Sequence, residues 1–239
     1  HIYTYGGSSA AKTYSIAQAL LIHGEQNNYS SIVFRKEQAS INDTIYNDFK
    51  EINTNFELDH TLQQFLIKLN STERVIRFRG VDKSDKVKGL KGYKKSLLDE
   101  LDHFDYKDYK ELKRRLRGEE GQQLIYTWNP VSKEHWVKTK VLDSENWIET
   151  SKEIENCPSE YSMLSDKSGK WINDRGDSIL IKTNHLDNYW VCGHPEEGFG
   201  RYDKHVMNEF NIMKRLDPDD YAVYAWGDWG NPKVDMPYI

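Results

Sequence analysis

Lys12 and Thr13 follow Gly6-Gly7-Ser8-Ser9-Ala10-Ala11, and Asp99 and Glu100 stand side by side after Leu97-Leu98. A lysine, a hydroxyl and two carboxylates in that order are the parts needed to hold a polyphosphate and break its terminal bond. Between a strand and a helix, glycines let the backbone wrap closely around phosphates, and the helix N-terminus offers free N–H groups and positive dipole. Lys12 would supply a point charge to the β- and γ-phosphates, and Thr13 a hydroxyl ligand for magnesium. Asp99, at a strand's carboxyl end, would hold the same magnesium directly or through water. Glu100 would then orient or deprotonate the attacking water.

Plainer readings exist for each segment. A Gly-rich turn can carry a Lys-Thr pair by chance, and Ala11 occupies the place where the usual motif has its second Gly. Asp99, Glu100, Asp102 and Asp105 could be a solvated acidic loop leading into a helix, since acids favour helix N-termini. The two motifs occur in the right order on the right elements, which favours the chemical reading.

These residues need a scaffold that brings two strand ends together. Residues 2–5 are a short β-prone run ending at Gly6-Gly7, and 11–23 continue with apolar Ile16, Ala19 and Leu20 at helical spacing. Residues 31–35 (SIVFR) predict a second buried strand and 37–49 a second helix. Residues 65–69 and 75–79 flank Asn70-Ser71-Thr72-Glu73 as a hairpin. The apolar run 96–98 leads to the acids, 106–116 reads as a charged amphipathic helix, and 123–127 (QLIYT) as another strand. This alternation predicts an α/β fold with a mainly parallel central sheet and flanking helices, its core within residues 1–145. From 146 to 177 no period is sustained, so an irregular insertion or lid is expected. Residues 178–183 (SILIKT) resume as a strand, 205–216 read as a helix, and 221–230 (YAVYAWGDWG) are aromatic and Gly-punctuated.

The 239 residues suit one large domain, or a domain with a small appendage, of ordinary globular composition. No run approaches the ~18 apolar residues of a membrane span, and the first residues lack the pattern of a signal peptide. Cys157 and Cys192 are too few for a disulfide framework, so a reducing cytosol is the expected compartment. The net charge of −5 argues against a surface that is basic all over, but leaves room for a local patch on nucleic-acid phosphates. A strand beginning at once after His1 reads as a missing upstream segment, although a renumbered chain would look the same.

A third segment carries a family resemblance. Leu124-Ile125-Tyr126-Thr127-Trp128-Asn129-Pro130, followed by His135-Trp136-Val137-Lys138, resembles the coupling motif of phage large terminases. Val33-Phe34-Arg35-Lys36 and Phe78-Arg79-Gly80-Val81-Asp82 precede the acidic pair in the order of the PBSX-like branch, and Arg115-Leu116-Arg117 follows it. Thr183-Asn184-His185-Leu186-Asp187-Asn188 and Gly227-Asp228-Trp229-Gly230 complete a set that spans nearly the whole chain. Each motif is short; their order is what is specific.

The resemblance implies a phosphate-loop NTPase (RecA/ASCE-like) fold, with ATP and Mg2+ as cofactors. It implies the ATPase domain of a viral DNA-packaging motor, driving double-stranded DNA into a procapsid in the host cell cytoplasm. The implied partners are DNA, the portal protein and a small terminase subunit, with a homo-oligomeric ring and no membrane. Nucleotide would be bound by Gly6, Gly7, Ser8, Ser9, Ala10, Ala11, Lys12 and Thr13, with Glu100 and Lys12 catalytic and Thr13 and Asp99 on magnesium. Thr127 and Asn129 would sense the γ-phosphate and couple hydrolysis to a lid, and 178–239 would hold the end of the ATPase region and the lid subdomain. The family's nuclease domain would begin beyond Ile239, so no DNA cleavage is expected of this chain.

Two departures stand out. Ser8 occupies a place where many terminases carry Arg, and Lys88-Gly89 takes the place of an Arg-Gly that reaches a neighbouring subunit. Lysine brings charge without the bidentate fork, which leaves Arg79, Arg115 and Arg117 as candidates beside Lys88 for the trans-acting role. The lysine-rich stretches 83–95 and 107–117 could track a DNA backbone, dock to a neighbour or simply be solvated faces. Cys157, His185, Cys192 and His194 fit no paired-ligand zinc spacing. Two other functions remain open: another phosphate-loop enzyme, such as a helicase-like ATPase or small-molecule kinase, and a nucleotide-binding scaffold that does not hydrolyse.

Overall fold

The computed structural model describes residues 1–82, 90–116, 118, 120–153 and 164–231. Two compact units emerge: His1–Tyr3 with Lys12–Trp128, and Thr4–Ala11 with Asn129–Ile239. The first strand, β1 (Ile2–Gly6), gives its opening residues to the first unit and the rest to the second.

The first unit continues with α1 (Lys12–Gln26), β2 (Ser30–Arg35), α2 (Ile45–Asn55), β3 (His60–Gln63), β4 (Leu66–Leu69) and β5 (Arg74–Gly80). It ends with β6 (Tyr93–Leu98), α3 (Tyr106–Arg115) and β7 (Gln123–Trp128). Its strand order is β3-β4-β5-β2-β6-β7, with the start of β1 next. Strands β5, β2, β6 and β7 are parallel, while β3 and β4 are antiparallel additions at the edge.

Alternation along the strands sorts this unit into two covered faces. Val33 pairs with Phe78 and Leu97, and Leu97 with Ile125. That row packs beneath Ala17, Leu20 and Leu21 of α1 and Ile45, Phe49 and Ile52 of α2. Phe49 meets Phe78 edge-on at 5.0 Å. The neighbouring row faces the opposite way: Phe34, Leu98 and Tyr126 are fully buried. There the Tyr126 ring lies 4.7 Å from Tyr3 and 5.6 Å from Tyr109 of α3.

One predicted helix is displaced. Residues 37–49 form a single 3-10 turn at Ala39–Ile41, and α2 begins only at Ile45. Asn42-Asp43-Thr44 interrupts it, because Thr44 leaves helical dihedrals and its hydroxyl donates to the Ser40 carbonyl. The predicted hairpin forms as β4 and β5, with the short, polar β3 paired beside it.

The second unit holds β8 (Trp147–Glu149), β9 (Gly169–Asn173), β10 (Ile179–Thr183), α4 (Tyr189–Cys192), β11 (Gly193–His194), β12 (Phe199–Tyr202), α5 (Lys204–Leu216) and α6 (Pro218–Tyr224). Its strand order is β10-β9-β8 beside the end of β1, with β11 and β12 as a separate hairpin. The stretch expected to be irregular, 146–177, therefore carries two strands, β8 and β9. They are too short and too polar to show a period alone; antiparallel pairing of Ile172 with both Ile148 and Ile179 defines them. Among the described residues, no helix is long and apolar enough to cross a membrane.

Candidate active site

Parallel register brings the chemistry-bearing residues of the first unit into one row. Phe34 is level with Leu98, and Leu98 with Tyr126. The next residue along each strand is then Arg35, Asp99 and Thr127, all on the face that α1 and α2 cover. The three touch. Arg35 Nε donates to Asp99 Oδ2 at 2.9 Å, and Thr127 Oγ1 donates to Asp99 Oδ1 at 2.7 Å. From the first turn of α1, Thr13 Oγ1 donates to the same Asp99 Oδ1 at 2.7 Å.

Asp99 is 1% exposed, so its charge depends on these partners. A serine- or threonine-type hydroxyl beside a carboxylate is a donor set of hard oxygens, which suits a small divalent cation. Thr13 and Asp99 therefore fit magnesium.

Lys12 is half-buried, and loss of water around its ammonium pushes its pKa down to about 8, against the pull of Asp99 and then Asp102. Asp102 is pushed up to about 6, chiefly by burial, with His103 opposing and Glu100 adding to the rise. Asp48, from the first turn of α2, also rises to about 6 through burial and then through its repulsion by Asp99. Glu100 adopts a left-handed backbone, φ 56° and ψ 57°, which a non-glycine residue adopts at a cost of roughly 1–3 kcal/mol. Its carboxylate takes Arg35 Nη2 on Oε1 and faces His103 Nδ1 at 3.2 Å on Oε2.

In the second unit, residues 4–11 run along β10 and the end of α6. A Cβ on Gly6 would sit 1.8 Å from the Thr183 carbonyl oxygen, and one on Gly7 2.5 Å from that of Tyr224. Both glycines are thus demanded by close backbone approach. Ser9 and Ala11 adopt left-handed φ, 59° and 54°. The Thr183–Asn188 stretch secures this turn: Asn184 and Asp187 form a capping box, and Asn188 Nδ2 donates to the Ser9 carbonyl at 2.7 Å.

The sequence profile described as phage terminase large subunit matches residues 1–227. The chain belongs to the phage terminase large subunit family. Large terminase from a thermophilic bacteriophage superposes with a TM-score of 0.68 at 14% identity, over 96% of this chain and 48% of that one. The same thermophilic-phage protein has been solved in complex with ADP and with ATP-gamma-S. The Thermus phage P74-26 large terminase ATPase domain gives 0.58 at 12% identity, covering 95% of this chain and 88% of that domain. The N-terminal domain of the DNA packaging ATPase from bacteriophage phi29 gives 0.51 at 13% identity, over 78% and 91% of the two chains. Among curated proteins, none matches. At these identities the likeness fixes the fold, that of solved large-terminase ATPase domains. The terminase chain spans about half the length of the thermophilic-phage protein.

Of the residues the sequence singles out in this terminase, Thr13, Asp99 and Thr127 are brought together. Glu100 joins them through Arg35. Asn129 opens the second unit's share of the chain after β7. Lys88 and Arg117 lie outside the described residues, and Arg115 is paired with Glu111 on its own helix. His185 Nδ1 lies 2.9 Å from the Ala225 carbonyl, and the Cys192 thiol donates to the Leu186 carbonyl at 3.1 Å. Sequence reasoning matched Arg35 to a motif without giving it a role, and gave no role to Asp48 or Asp102. Arg35 could have been found by parity, since strand alternation from Val33 puts it on the α1/α2 face.

Proposed function

We propose that this terminase chain is the ATPase domain of a viral DNA-packaging motor and hydrolyses ATP with magnesium. The observation that carries this is the convergence of the Thr13 and Thr127 hydroxyls and the Arg35 guanidinium on buried Asp99. Three side chains from three separate elements meet on one carboxylate at the carboxyl edge of a parallel sheet, where α/β folds bind ligands.

In this reading Gly6 to Ala11 wrap the phosphates with backbone N–H groups, and Lys12 places its charge against the β- and γ-phosphates. Thr13 and Asp99 would hold magnesium, which would supply positive charge against the phosphate oxygens. Glu100 receives the proton of the attacking water, as its place beside Asp99 allows. Thr127, already bonded to Asp99, feels a change at that carboxylate directly, and with Asn129 passes it to a lid within residues 178–239. The cation acting across a subunit boundary would be drawn from Lys88, Arg79, Arg115 and Arg117.

The motor reading extends family membership to a homo-oligomeric ring in the host cytoplasm, docked on the portal protein and translocating double-stranded DNA with a small terminase subunit. DNA cleavage is assigned to none of these residues. Steady-state magnesium-dependent ATP hydrolysis over a protein concentration series tests the proposal. Activity rising more steeply than linearly, and absent in Lys12→Ala, is expected of a site shared between neighbours. Nucleotide binding without hydrolysis at any concentration would favour the non-hydrolysing scaffold instead.

A further inference from the structure

We infer that Arg35 is a positioning residue for hydrolysis: one guanidinium holds the Asp99 and Glu100 carboxylates as a rigid pair. This rests on Glu100 being the base, and the geometry takes it further. Arg35 sits at the last position of β2 and is 7% exposed. Its Nε donates to Asp99 Oδ2 at 2.9 Å, its Nη2 reaches Glu100 Oε1, and its Nη1 donates to Thr44 Oγ1 at 2.6 Å. Each of the three nitrogens has its own oxygen partner on a different residue.

A counter-charge for Asp99 alone would not need this arrangement. Asp99 Oδ1 already accepts from Thr13 and Thr127, and Oδ2 is satisfied by Nε. The remaining arms of the fork reach past Asp99 to Glu100 and to Thr44. Thr44 is itself fixed, because its hydroxyl donates to the Ser40 carbonyl at 2.5 Å. The guanidinium therefore has a rigid back support and presents its other edge to two successive carboxylates.

Glu100 needs such a hold. Its backbone is left-handed, so the side chain leaves the strand end in a direction that β6 does not continue. On the other side it faces His103, itself well exposed. Planar donors at fixed angles can hold two carboxylates in a set mutual orientation; an ammonium cannot. Arg35 touches neither nucleotide nor water in this account; it acts through Glu100.

The test uses the whole chain, with kcat, equilibrium affinity for a fluorescent ATP analogue and melting temperature measured for each variant. Arg35→Lys keeps the positive charge and loses the fork. Its kcat is expected to fall on the order of 10²-fold, the scale of a displaced general base, with affinity within about threefold and melting nearly unchanged. In the Glu100→Gln background Arg35→Lys should lower kcat no further, because both changes disable one unit.

A kcat within about threefold of wild type for Arg35→Lys, an equal loss of affinity, or full additivity with Glu100→Gln overturns the proposal. If Arg35→Lys melts early, Thr44→Val decides: removing only the back support should lower kcat severalfold at constant affinity, and an unchanged kcat rejects the proposal. A wild-type chain that binds but does not hydrolyse ATP would remove the functional reading beneath it, an outcome distinct from an active Arg35→Lys.

Discussion

Lys12 carries its positive charge where water is scarce, and its pKa of about 8 has a consequence that can be read in protons. Its folded pKa lies below its unfolded value, so the buried charge costs stability below pH 8, and that cost fades as pH rises toward 10.5. The anionic phosphates of a bound nucleotide would restore the proton. Uptake on ATP binding should therefore climb from about a tenth of a proton at pH 7 to about nine tenths at pH 9. Calorimetry in buffers of different ionisation enthalpy measures this, and an uptake flat across that range would show that Lys12 does not meet the phosphates. At this scale, types and spacing made Lys12, Thr13, Asp99 and Glu100 legible, because a motif is a local object. Arg35 was hidden, since its role depends on a partner 64 residues away.

The turn from β1 to α1 is an element whose sequence disagrees with its shape. Ala11 holds φ 54°, a conformation in which its methyl group is strained, and the usual glycine would be free of that strain. Ala11→Gly removes about 1–2 kcal/mol of strain and returns part of it through a more flexible unfolded chain. A net gain of about 0.5–1 kcal/mol is expected, a rise of roughly 1–4 °C in melting temperature. A fall in melting temperature would mean that the turn tolerates alanine without strain. The alanine in place of the motif's second glycine thus acts through its backbone dihedral. Elements with several periods, such as β2, β7 and α5, were legible from pattern alone. The start of α2 and the strands β8 and β9 were not, because a hydroxyl bonding back to the main chain and a pairing partner decided them.

For the whole molecule, the fold class was readable from the alternation of strands and helices, and the family from the order of its motifs. The division into two units was not readable, because residues 4–11 and the chain from Asn129 on join one unit through contacts distant in sequence, such as Asn188 with Ser9. Under the proposed function these parts make an enzyme in which Glu100 activates water. The most direct test is single-turnover hydrolysis of bound ATP, with magnesium, by wild type and Glu100→Gln, with nucleotide affinity measured on the same samples. The prediction is equal binding by both chains and a hydrolysis rate lowered on the order of 10²–10⁴-fold in the variant. Unimpaired hydrolysis by Glu100→Gln would contradict it and move the base to another residue.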